Sequence, residues 1–180
     1  MKRLVALLLV GITLHATAQN PGDHGLPGLN KNFEEPEAWK ERLDVEPPTF
    51  PRPADLVEFY VGPVTTNQYF IDASTLSVGT DSVVRYVLVV KTSGGATNMS
   101  FEGINCKERS WKHYASGNND KATWTKSRAA RIEWRLIENK TVNRHHAALN
   151  RDYFCPAGNP IQSADEGRNA LRLGKHPGAN

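Results

Sequence analysis

The clearest alternation in the chain lies at residues 83–91. Val84, Tyr86, Leu88 and Val90 make one face wholly apolar. Val83, Val87 and Val89 make the other nearly so, with Arg85 as the exception. A period of two with both faces apolar predicts a central strand, because only a strand covered on both sides hides both sets. Ser93-Gly94-Gly95-Ala96 closes a hairpin. Residues 97–106 return, with Met99 and Phe101 on one face and Ile104 and Cys106 sharing the other with Glu102. Upstream, short apolar runs at 56–61, 69–71 and 76–78 are separated by Gly62-Pro63 and by turn-forming segments at 72–75 and 79–82. Downstream, residues 109–115 read as a strand and 116–120 as a polar turn. Trp124 and residues 132–137 supply one or two further strands.

Two helices follow. Residues 143–154 place His145, Leu149 and Tyr153 on one stripe, and Pro156 stops the helix. Ser163-Ala164-Asp165-Glu166 has the spacing of a capping box. Ala170, Leu171 and Leu173 give the second helix a modest apolar face, and Gly174 is its C-terminal cap. Strands first and helices afterwards, with short turns between strands, predict an α+β fold: a twisted antiparallel β-sheet with two C-terminal helices packed on one face. The domain spans residues 56–174, and 175–180 form a loose tail.

The pattern fails between residues 19 and 55. Seven of the eleven prolines fall here, which removes N–H donors and fixes φ, so regular elements cannot propagate. This is a Pro-rich extension. Residues 34–43 interrupt it with a short expected helix: Pro36 lies near the start, acids precede it, and Lys40 and Arg42 come late. Trp39 and Leu43, four apart, would dock that helix on the domain.

Residues 1–18 have a different character. Lys2 and Arg3 precede an apolar run at 4–14, too short to span a bilayer, and Ala16-Thr17-Ala18 offers small residues to a signal peptidase. Export is expected, with cleavage between Ala18 and Gln19. Of the 22 Lys and Arg, two leave with the signal, so the net charge falls from +3 to +1. A near-neutral surface gives no general pull toward nucleic acid or acidic lipid. No transmembrane anchor is expected after cleavage, and no lipid anchor, because no cysteine lies near the cleavage site. Cys106 and Cys155 are the two cysteines. In an oxidising compartment their simplest reading is one structural disulfide tying the sheet to the first helix. Redox or metal chemistry would need a closer spacing or further ligands.

The segments Ala54-Asp55-Leu56-Val57-Glu58-Phe59-Tyr60-Val61, Phe70-Ile71-Asp72, Val83-Val84-Arg85-Tyr86, Phe101-Glu102-Gly103-Ile104-Asn105-Cys106 and Asp152-Tyr153-Phe154-Cys155 resemble the CNP-one-like family of uncharacterised exported proteins from Gram-negative bacteria. The resemblance implies a one-domain protein of the bacterial envelope, periplasmic or secreted, and no established activity. Two departures stand out: Ser82 where the family usually has Gly, and Asn105 where it usually has Arg.

No nucleophile motif, phosphate loop or metal-binding spacing appears, so no cofactor and no metal are expected. His145 and His146 are adjacent, which points them about 100° apart on a helix; they read as a surface histidine beside a packed one. Arg85 and Glu102 are charges inside apolar strands and are expected to pair across the hairpin. With His113 they would build the site of a hydrolase or transferase only if all three converge in one pocket. Trp111, Tyr114, Trp124 and Trp134 would line a recognition groove if exposed, or a sheet core if not. The expected function is non-enzymatic binding of an envelope protein, peptide or cell-wall component through the sheet face or an edge. A small-ligand binder would need a pocket of roughly 300 Å³ or more.

Overall fold

The structure is a computed structural model and describes residues 37–127, 133–140 and 144–179. The expected signal sequence, with Ala18 and Gln19, lies outside the described residues. So does the start of the expected N-terminal helix.

The described residues form an eight-stranded antiparallel sheet. Its strands are β1 (Leu56–Glu58), β2 (Gln68–Asp72), β3 (Ser77–Val78), β4 (Val83–Lys91), β5 (Thr97–Asn105), β6 (Ser110–Asn118), β7 (Thr123–Lys126) and β8 (Arg135–Leu136). The order is β1-β2-β4-β5-β6-β7, with β3 on β4 and β8 on β6. The doubly apolar β4 is interior, as its pattern requires. Val83 to Leu88 are all buried. β6 runs on to Asn118, through part of the expected polar turn, because Gly117 and Asn118 pair with Trp124 and Thr123 of β7.

The first helix is short. α1 (Arg144–Ala148) continues as a π-helical segment, Leu149–Phe154. Its wider winding is recorded by the Cys155 N–H bonding to Asn150 O at 3.0 Å, a five-residue step. Leu149, Tyr153 and Phe154 are thereby all buried against Tyr86, Ile104 and Ile71. Cys155 ends the segment and is bonded to Cys106, just past β5, with a Cα–Cα distance of 5.5 Å. α2 (Ala164–Arg172) starts where the capping residues predict: Ser163 Oγ accepts from Glu166 N at 3.2 Å. The Glu166 carboxylate reaches back one residue further, to Gln162 N at 2.6 Å. Ala170 and Leu171 are buried, but Leu173 lies past the last turn and is 67% exposed. The fold is the expected α+β arrangement with both helices on one face.

Two expectations fail outside the sheet. Residues 37–43 are not helical. They carry no regular structure, and Trp39 and Glu41 both meet Trp134, while Leu43 is 85% exposed. The physical reason is a better set of partners. The Arg42 N–H bonds Asp81 Oδ2 at 2.9 Å in place of a helical carbonyl. The tail after Lys175 is also tied down: His176 N donates to Asp152 O at 2.7 Å, and its Nε2 lies 2.8 Å from Glu166 Oε1.

Candidate functional site

Arg85 and Glu102 do not pair. β4 and β5 register Arg85 opposite Gly103 and Tyr86 opposite Glu102, so the two charges point to opposite faces. The cause is the hairpin. Its loop covers residues 92–96, one longer than the expected Ser93 to Ala96, with Thr92 N bonded to Ala96 O at 2.8 Å. One residue of loop length inverts every side chain relative to the partner strand.

On the helix face, Glu102 sits at the centre of a buried polar cluster. Its carboxylate accepts from Ser100 Oγ at 2.7 Å, from Tyr86 Oη at 3.1 Å and from His146 Nε2 at 2.8 Å. Burial pushes the Glu102 pKa up, but the hydrogen bond and charge of His146 outweigh it and hold the group at about 2. Tyr86 is driven well above its ordinary value by burial and by the Glu102 charge. Among the described residues His146 Nδ1 has no partner, so Nε2 is the ring nitrogen that is engaged, and it faces Glu102. Trp111 covers the His146 ring, with centroids 3.8 Å apart and planes 19° apart. Neither histidine is the expected surface residue: His146 is buried, and half-buried His145, on the packed stripe, stacks on Tyr69 at 5.3 Å. Burial, then repulsion from His146, pulls its pKa down to about 4. His113 belongs to neither group, since its ring nitrogens meet Ser127 and Ser116. Arg85, Glu102 and His113 therefore do not share one pocket.

On the opposite face, residues 39–50 form a strap across the sheet. Glu41 is its anchor. Lys112 Nζ grips both carboxylate oxygens at 2.8 and 2.6 Å, Tyr114 Oη donates at 3.2 Å and Trp134 Nε1 at 3.1 Å. Trp39 meets the Trp134 ring edge-on at 5.7 Å and donates to Asp81 O at 2.8 Å. Asp81 is held by two bonds from Arg85, at 2.9 and 2.6 Å. Burial raises the Asp81 pKa, and the bonds from Arg85 and from the Arg42 N–H overcome this to bring it to about 2. Further along, Trp124 Nε1 donates to Pro48 O at 2.8 Å and its ring packs on Phe50 at 5.3 Å. The aromatics expected to line a groove are thus divided. Trp111 packs under the helix, whereas Tyr114, Trp124 and Trp134 hold the strap.

Both faces of the sheet are covered, and an open concave surface lies beside β1. A cleft of about 520 Å³ is lined by Glu58, Tyr60, Tyr69, Tyr153, Leu171 and Arg172, among others. Tyr60 is 67% exposed at its rim. The Tyr60 N–H bonds Tyr153 Oη at 3.1 Å, which ties the end of β1 to the π-helical segment. The sequence reading passed over these residues. The signal was there in Phe59-Tyr60-Val61: Phe59 and Val61 turn inward, so alternation sends Tyr60 outward.

A strapped sheet, a helix layer stapled to it by one disulfide and a tyrosine-lined cleft define an α+β domain with a closed interior. The chain belongs to the CNP1-like family, whose model matches residues 34–172. Curated proteins and solved structures gave no match.

Proposed function

We propose that this chain is an exported cell-envelope protein, periplasmic in a Gram-negative cell, that works as a non-enzymatic binding module for a polypeptide partner. The observation that carries the binding role is the cleft of about 520 Å³ with exposed Tyr60 at its mouth. Tyrosine and arginine supply rigid amphipathic contact area and planar donors, the chemistry that dominates protein interfaces. Tyr60 and Arg172 offer both, and Glu58 adds an acceptor. Coverage of both sheet faces directs recognition to this edge. Export is supported by the residue pattern at 1–18 and by the Cys106–Cys155 disulfide, which suits an oxidising compartment.

The test is a photo-crosslinking amino acid at position 60 of the full-length protein in intact Gram-negative cells, with position 121 as control. A discrete adduct from position 60, absent from position 121 and weakened by Arg172→Ala, is the expected result. Equal labelling at both positions, or none at 60, overturns the binding site. Mass measurement of the same product reports on export separately: a chain starting at Gln19 with no free thiol is expected, and an intact Met1 on cytosolic protein overturns it.

A further inference from the structure

A second cleft, of about 400 Å³, lies beside the disulfide and well apart in composition from the tyrosine cleft. Arg109 and Arg151 line it together with Asn139 and Asn150, and Ile137 and Ala147 supply apolar wall. None of the described residues lining it is acidic. We propose that this cleft binds a small organic oxyanion, a carboxylate or phosphate ester carrying a short apolar group.

Three observations converge. The first is Arg109 itself. It has φ of +46°, a left-handed backbone position that Gly or Asn fills at least cost. That backbone is fixed from both sides, because Arg109 N bonds Cys106 O at 3.2 Å and Arg109 O accepts from Ile137 N at 2.8 Å. The main chain therefore explains the turn but not the choice of side chain. Among the described residues the Arg109 guanidinium has no hydrogen bond or ion pair, and it is exposed. A long cation placed where glycine would be easier, and used by nothing among the described residues, is available to a ligand.

The second is Arg151, which lines the same cleft. Arg151 Nε and one Nη bind Asp152, at 2.9 and 2.5 Å. This orients the guanidinium and leaves its remaining nitrogen for a further acceptor. A planar guanidinium matches a carboxylate or phosphate through paired N–H donors, which Arg109 can offer whole; Arg151 adds its remaining nitrogen on the same cleft, and the two together favour an anion over a neutral ligand. The Asn150 amide Nδ2 is spent on Cys155 Sγ at 3.0 Å, which holds its Oδ1 and remaining N–H in place. The third observation is size. A volume of about 400 Å³ fits a small molecule and exceeds what a bare inorganic ion would fill. Ile137 and Ala147 account for the apolar part.

The test uses the full-length oxidised protein and four probes: phenyl phosphate, benzoate, inorganic phosphate and benzylammonium. Binding is read from backbone and arginine side-chain chemical shifts. Saturable shifts at Arg109, Asn150 and Arg151 are expected with phenyl phosphate or benzoate, weaker ones with inorganic phosphate, and none with benzylammonium. The relative strengths of the first two decide between a phosphate and a carboxylate ligand. Arg109→Gly removes the guanidinium while suiting the left-handed backbone. It is expected to weaken binding about tenfold or more with no loss of thermal stability. Arg151→Gln provides an independent variant with the same expected direction. Equal binding of the cation, shifts elsewhere on the surface, or full binding by both variants would overturn the proposal.

Discussion

The two faces of this sheet are covered in opposite ways. On one, the helices and the connection between them bring Leu149, Tyr153, Phe154, Ile161 and Leu171 onto Val84, Tyr86, Leu88 and Ile104, and a disulfide fixes the layer. Its main polar group is the cluster around Glu102, with buried Asn150 on Cys155 Sγ beside it. On the other, a strap without regular structure is held by single side chains: Glu41 by Lys112, Trp39 by Trp134, Pro48 by Trp124. The buried apolar cluster on this face is smaller, made of Val87, Val89, Phe101, Tyr114 and Ala115, and it shares the face with the buried charges Arg85, Asp81 and Lys112. Apolar area is cooperative and tolerant of small losses, whereas a polar anchor fails when one partner is removed. The helix layer should therefore unfold with the sheet, and the strap should be able to open by itself.

The largest effect is expected at the centre of the helix face. Glu102→Ala leaves the His146 N–H and the Tyr86 and Ser100 hydroxyls without their acceptor in a dry interior. Breaking such a buried pair from one side costs about 3–5 kcal/mol. Urea unfolding followed by tryptophan fluorescence should show a lower midpoint with one cooperative transition. A loss under about 1 kcal/mol would mean that the cluster does not join helix to sheet.

Acid should separate the faces next. His145 falls to about 4 from an ordinary value of 6.5. A depressed group stabilises the fold above its unfolded pKa and withdraws that support as pH drops through its folded one. The helix face thus begins to weaken below about pH 6.5, as His145 is forced to charge. Glu102 extends the loss from 4.5 down to about 2. The strap face has Asp81, whose window is 3.8 to about 2. Stability measured at pH 7 and pH 4.5 should differ in the native protein and differ much less in His145→Phe. Equal pH slopes in the two proteins would remove His145 from this account.

Glu41→Ala comes third. It leaves Lys112, 9% exposed in its side chain, beside two unpaired donors, at a cost of about 2 kcal/mol. The distinguishing readout is local. Hydrogen exchange at the Arg42 amide and proteolysis within residues 39–50 should speed up, while exchange in β4 stays unchanged. If β4 loses protection in parallel, the strap and the sheet are one cooperative unit and the contrast between faces disappears.

The same contrast decides what could be read in the sequence. The helix face is written in periodicities. The bounds of β4, the Ser163 cap and the Cys106–Cys155 tie all follow from local pattern or composition. The strap has no period to read. Proline-rich spacing says where a helix cannot run, but Glu41 finds Lys112 some 71 positions away through tertiary geometry alone. Over residues 37–43 the expected helix rested on local propensity that these distant partners overrode. The Arg85–Glu102 pairing failed for a smaller reason. A five-residue loop in place of four reverses facing, and Gly-rich turn composition does not set loop length. Tyr60 was legible and passed over, because the alternation was used to find the core and not what points away from it.

The smallest expected effect has the opposite sign. Ser82 closes the turn before β4 with φ of +62°, and its N–H bonds Gly79 O at 2.9 Å. The left-handed conformation costs an ordinary residue roughly 1–2 kcal/mol, and glycine recovers this at some expense in unfolded-state entropy. Ser82→Gly should therefore stabilise the protein by about 0.5–1 kcal/mol in thermal unfolding. Gly79→Ala, three residues earlier, should do the reverse for a steric reason: its Cβ would lie 2.3 Å from Asp81 Oδ1 and 2.4 Å from Arg85 Nη1. That contact forces apart the pair on which Trp39 and Arg42 of the strap rest. The two substitutions distinguish backbone strain from anchor geometry in one turn. If Ser82→Gly also loosens the strap, the serine hydroxyl rather than the φ angle is what this turn requires.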